Sequence, residues 1–120
     1  MTMQMVGGVH RRVAVEIVSK TQTSTNDYAE IEESRIDMRP WKSLSYTITV
    51  ADETVNYKVF GANKADFSDE VEVQAEEAVT AGSVDDYTVA QAPFGYYRVK
   101  IKSAASGTHG NATVNGIAKG

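Results

Sequence analysis

Histidine is the side chain best suited to move protons near neutral pH, and the chain has two, His10 and His109. His10 follows Gly7-Gly8 near the start; His109 lies in Gly107-Thr108-His109-Gly110. The chain has no cysteine to pair with either, and no Ser-His-acid spacing is evident, so nucleophilic catalysis is not indicated. Oxygen ligands for a hard cation gather at Asp66, Ser68, Asp69 and Glu70, with a second acidic pair at Asp85-Asp86. Neither group has the glycine and terminal glutamate of the helix–loop–helix calcium motif, and both read as solvated loop acids. The glycine pairs do not run on to a Lys-Ser or Lys-Thr ending, so no phosphate loop is expected. These residues point to no enzyme, no cofactor and no metal.

Residues suited to binding are more numerous. Arg98, Lys100 and Lys102 form a basic stripe beside Tyr96 in an otherwise acidic chain. The stripe could meet an acidic partner, such as the Glu30–Glu33 segment of a neighbouring copy, or pair with acids of its own sheet. Tyr28, Trp41, Phe67 and Tyr96 could form a stacking platform for carbohydrate. Against that, Trp41 directly follows Arg39-Pro40 and reads as a core plug, and Phe67 as a buried anchor within a loop. Met1, Met3, Met5 and Val6 precede the Gly-Gly pair. Methionine adapts to irregular apolar surfaces, so residues 1–10 read either as a frayed terminus or as an arm that orders on a neighbouring subunit.

The elements that must carry these residues are strands. Tyr97, Val99 and Ile101 alternate with Tyr96, Arg98, Lys100 and Lys102, which marks a central strand followed by a loop at 103–110 and a returning strand. Alternation also predicts strands at 11–18, 43–50, 54–60, 70–75, 86–90 and 112–118, seven in all with the central one. Residues 28–38 alternate poorly and carry Glu30, Glu32 and Glu33, as a ragged, solvated edge strand would. Residues 19–26 read as loop. Strands 43–50 and 54–60 read as a hairpin, and residues 76–79 as one helical turn ended near Gly82. Val114 and Ile117 face the same way only if the chain bulges at Gly116. The spacing predicts an all-β, single antiparallel sandwich at 11–120, Ig-like or jelly-roll, with an N-terminal arm at 1–10.

The 120 residues suit one domain, and the net charge of −4 argues against nucleic acid as a partner. The start lacks the basic-then-apolar order of a signal peptide, and no apolar run is long enough to span a membrane.

Tyr96–Ser103, the Ser-Gly loop and the final strand resemble the last hairpin of immunoglobulin-like and fibronectin type III sandwiches. More broadly, Thr47-Ile48-Thr49-Val50, Asn56–Asn63 and Tyr97–Lys102 resemble small structural proteins of tailed-bacteriophage virions, either head decoration (cement) proteins or small tail components. The resemblance implies a homo-oligomer made in a host cytoplasm and assembled on a major capsid or other virion protein.

Overall fold

The computed structural model describes residues 15–120. Met1, Met3, Met5, Val6 and His10, and with them the expected arm, lie outside the described residues. Eight strands follow in order: β1 (Val15–Thr23), β2 (Ala29–Asp37), β3 (Ser43–Val50), β4 (Val55–Ala62), β5 (Val71–Val79), β6 (Ser83–Val89), β7 (Tyr96–Ser103) and β8 (Asn111–Lys119). They form two four-stranded antiparallel sheets, ordered β1-β8-β3-β6 and β2-β7-β4-β5. The expected all-β sandwich is therefore present.

Its connectivity corrects three expectations. Every connection except β4–β5 crosses from one sheet to the other. Residues 51–54 thus form an arch between sheets, and β3 and β4 are not a hairpin. An arch and a hairpin give the same alternation, because either places the apolar set of both strands in the core. The β7–β8 return is also an arch, so the likeness to an immunoglobulin-like final hairpin does not hold. Eight strands alternating between two sheets make a jelly roll, the alternative expected from sequence, rather than the Ig-like sandwich.

The core lies between the sheets. Tyr46, Ile48 and Val50 of β3, Val55, Tyr57 and Val59 of β4, Tyr97, Val99 and Ile101 of β7, and Ala112 and Val114 of β8 are all buried. Each buried tyrosine removes 150 Å² or more from water, worth about 4 kcal/mol at about 25 cal/mol per Å² before entropy is counted. Tyr46 also ties the sheets together, since its hydroxyl donates to the Ser34 carbonyl of β2 at 2.5 Å.

Local exceptions to the alternation have physical causes. Residues 19–23, expected as loop, continue β1, because Ser19, Thr21 and Thr23 bond to Asn115, Thr113 and Asn111 across the β1–β8 pair. Residues 76–79 are strand, not a helical turn. Two register shifts in the β4–β5 pair change the phase of the apolar positions, which mimics helical spacing and leaves Val71 exposed rather than inward. Gly82 closes the turn into β6 with φ +80°, a conformation that favours glycine. β8 has no bulge at Gly116: its register with β1 and β3 is unbroken, and Ala112, Val114, Gly116 and Ala118 face inward while Ile117 faces out. A Cβ at Gly116 would lie 2.8 Å from the Tyr46 ring, so glycine there makes room for the tyrosine.

β2 is the ragged edge strand expected, but its acids are not all solvated: Glu32 and Glu33 are exposed, whereas Glu30 is partly buried against Arg35 and Arg98. β2 slips register against β7 between Ile31 and Ile36, leaving the intervening residues without regular partners. Buried Ser34 repairs the gap. Its hydroxyl donates to the Ile31 carbonyl and accepts the Val99 backbone N–H at 2.9 Å. A side chain thus replaces a missing ladder bond.

Candidate functional site

The outer face of the second sheet holds most of the candidate residues. β7 places Tyr96, Arg98, Lys100 and Lys102 outward, and β4 places Phe60, Lys58 and Asn56 opposite Arg98, Lys100 and Lys102. Lys58 and Lys100 face each other directly, a destabilising pair unless neutralised. Acids supply the neutralisation: Glu72 lies 2.9 Å from Lys58, and Glu70 lies 2.9 Å from Lys100. Arg98 is bound on both sides, to Glu30 of β2 at 2.6 Å and Glu70 at 2.7 Å. Arg35 adds a second contact to Glu30. Side-chain exposures of 13% for Arg98 and about 20% for both glutamates make this network partly buried. Hydrogen bonding from Arg35, joined by the charge of Arg98, holds the Glu30 carboxyl below its usual pKa. Burial pushes the Glu70 carboxyl up, but bonds from Lys100 and Arg98 outweigh it, and the group titrates below its usual range.

Aromatic rings complete this face. Phe67 is buried at the tip of the β4–β5 loop, with the Arg98 guanidinium 4.4 Å and that of Arg35 5.1 Å from its ring centre. Its φ of 61° is unusual for a bulky side chain and costs about 1–3 kcal/mol. Tyr96 meets Phe67 edge to face at 6.4 Å and carries Arg39 over its own ring. Of the four candidate platform aromatics, then, Phe67 and Tyr96 come together. Tyr28 lies at the opposite end of the sheet with Lys58 and Lys102 over its ring, and half-buried Trp41 packs against the core from the β2–β3 loop.

The remaining candidates serve the loops, except Asp85 and Asp86, which the structure places in β6. Asp66 accepts the Ser68 N–H, and Asp69 accepts those of Asn63 and Lys64. Among the described residues no three metal-binding side chains cluster. Asp85 accepts the Tyr57 hydroxyl at 2.9 Å. His109 is bonded through Nδ1 to Ser103 Oγ at 2.8 Å, and Ser103 in turn to Ser24 at 2.8 Å. Both serines are buried, so neither presents a nucleophile; together with the Ser24 N–H bond to Gly110 they fasten the β1–β2 loop to the β7–β8 loop.

The outer face of the first sheet is of another kind. Its rows run Ile17, Ile117, Ser45, Thr88; then Ser19, Asn115, Thr47, Asp86; then Thr21, Thr113, Thr49, Val84. Thr21 and Thr113 bond at 2.7 Å, Ser19 donates to Asn115 at 2.7 Å, and Ser45 and Thr88 lie 3.2 Å apart. The period-two run of Ser, Thr and Asn in β1 and β8 was the available signal.

No protein-family model and no curated protein matches the chain. Among the solved structures that resemble it, two match over nearly its whole length. One, from work titled as Bacillus endospore appendages forming a family of disulfide-linked pili, superposes with a TM-score of 0.57 at 16% identity, covering 98% of this chain and 97% of that one. The other is the SPBc2 prophage-derived protein YomS, with a TM-score of 0.55 at 13% identity, covering 94% of this chain and 100% of that one. At such identities the likeness is one of fold.

Proposed function

We propose that the chain is a non-enzymatic structural protein of a virion. In its specific form it is a capsid decoration (cement) protein that docks on the head lattice as a homo-oligomer, with the major capsid protein or another virion protein as partner. The observation that carries this reading is that the jelly roll matches, end to end, one subunit of a surface appendage and one prophage protein. It is supported by the use made of the candidate chemical groups. Asp66 and Asp69 cap the β4–β5 loop, the described histidine fastens two loops, and Arg98 and Lys100 of the basic stripe are paired with Glu30 and Glu70. These 120 residues contain no cysteine, so they form no disulfide between copies. Residues 1–10, with Met1, Met3, Met5 and Val6, serve in this reading as an arm laid on a neighbour. A carbohydrate platform would need open ring faces, whereas Phe67, Tyr96 and Tyr28 each carry a cation.

Light scattering on the full chain and on a chain lacking residues 1–10 tests the proposal. A full chain larger than a monomer and a truncated chain reduced in mass support it. A full chain that stays monomeric at every concentration contradicts it.

A further inference from the structure

We propose that the outer face of the first sheet is where two copies of this chain meet, face to face, about a two-fold axis lying in the plane of that face. The inference rests on the assembly reading above and adds the surface and geometry of contact.

The exposed large apolar side chains of the described residues are Ile17 at 66%, Val84 at 62%, Val71 at 45% and Ile117 at 37%. All but Val71 lie on this one face. Ile17 and Ile117 sit directly opposite each other in the β1–β8 pair, and Val84 sits on β6 at the far edge. The two patches occupy opposite corners. They are separated by up to three strand spacings, about 14 Å, and by four residues along the strands, about 13 Å. A two-fold axis in the plane, perpendicular to that diagonal, carries each corner onto the other. The Ile17–Ile117 pair of each copy then covers Val84 of the other, and the contact occurs twice, as an isologous interface requires. A diagonal at about 45° to the strands makes the strands of the two copies cross at about 90°, one of the two angles at which sheets pack.

Charge and hydrogen bonding favour the same face. The only charged groups in these rows and the next one out are Asp86 and Lys119, of opposite sign, so two copies of a chain with net charge −4 can approach here without like-charge repulsion. Its hydroxyls and amides bond sideways to one another, so covering them leaves few unsatisfied groups. A patch four strands wide and about eight residues long covers about 500 Å² on each copy. The total of about 1,000 Å² is at the lower bound of specific interfaces. The contact is therefore of the weak class, suited to subunits that are also held by a lattice or an arm.

Sedimentation of the full chain over a range of concentrations, alone and as Ile117→Lys, Val84→Glu and the double variant, tests this. The sites are exposed, and circular dichroism checks that each variant folds. The expected result is a concentration-dependent dimer that each single variant weakens by tenfold or more and the double variant restores, because the new lysine of each copy meets the new glutamate of the other. Self-association unaffected by the single variants, or lost in them and not recovered in the double, overturns this face while leaving the assembly reading standing. A full chain monomeric throughout overturns the assembly reading itself.

Discussion

The two sheets of this jelly roll turn opposite kinds of surface outward. The second sheet is crowded with charge, and at its centre the charges pair inside the chain: Arg98 between Glu30 and Glu70, Lys100 on Glu70, Lys58 on Glu72, with cations over Phe67, Tyr96 and Tyr28. The first sheet is nearly neutral, built of Ser, Thr and Asn bonded sideways, with apolar groups at two corners. The edges differ too. β2 and β5 are broken by register shifts, while the β1–β8 and β3–β6 pairs run unbroken. A dense ion network stabilises the subunit and offers little to a partner. A neutral, self-satisfied face adds little to the subunit and is cheap to cover.

This contrast predicts where substitutions matter. Replacing Arg98 by Met strips two partly buried glutamates of a shared partner and is expected to lower stability by about 2–3 kcal/mol, less than for a fully buried pair because Arg35 and Lys100 remain. Urea unfolding measures this, and a loss under about 0.5 kcal/mol would reduce the network to an ordinary surface feature. Ser34→Ala removes the acceptor of the Val99 N–H at the β2 bulge. It is expected to cost about 1–3 kcal/mol, read from the same unfolding curves.

Acid should weaken the ion network of the second sheet. The Glu30 and Glu70 carboxyls titrate below their unfolded value. Their contribution is therefore complete above about pH 4.3 and lost as pH falls through the lower folded values. A Glu30→Gln, Glu70→Gln variant should be less stable than the parent at pH 7, with the gap narrowing toward pH 3 in thermal melts. A gap that stays constant would mean that these carboxylates do not stabilise the fold through their charge. The smallest effect belongs to the first sheet: Thr21→Val with Thr113→Val should move monomer stability by no more than about 0.5 kcal/mol. A large loss would show that the hydroxyl rows hold the fold together and that the contrast between the faces is overstated.

The strands were legible wherever one face is buried and the register is regular. The inward sets of β3, β4 and β7 follow directly from alternation at Leu44–Val50, Val55–Val59 and Tyr97–Ile101. What alternation cannot carry is which sheet a strand joins, since it marks only that a face is buried; β3–β4 therefore passed for a hairpin. Bulges hid the second half of β5, because each shift resets the phase of the apolar positions. Polar ladders hid the end of β1, because Thr21 and Thr23 are held by side chains on β8, about ninety residues away in sequence. Gly116 was read as a bulge because Ile117 was assigned to the core, when the space at that level is filled by Tyr46. The basic stripe was visible, and its pairing within the sheet was one of two readings. The choice depended on Glu70, which reaches it from the end of the β4–β5 loop.

The most direct measurement is hydroxyl-radical footprinting of the full chain at low and high concentration. The account predicts that Ile17, Val84 and Ile117 lose reactivity as concentration rises, while Tyr96 and Tyr28 on the second sheet are unchanged. Protection that appears on the second sheet, or on neither face while the chain associates, would contradict it.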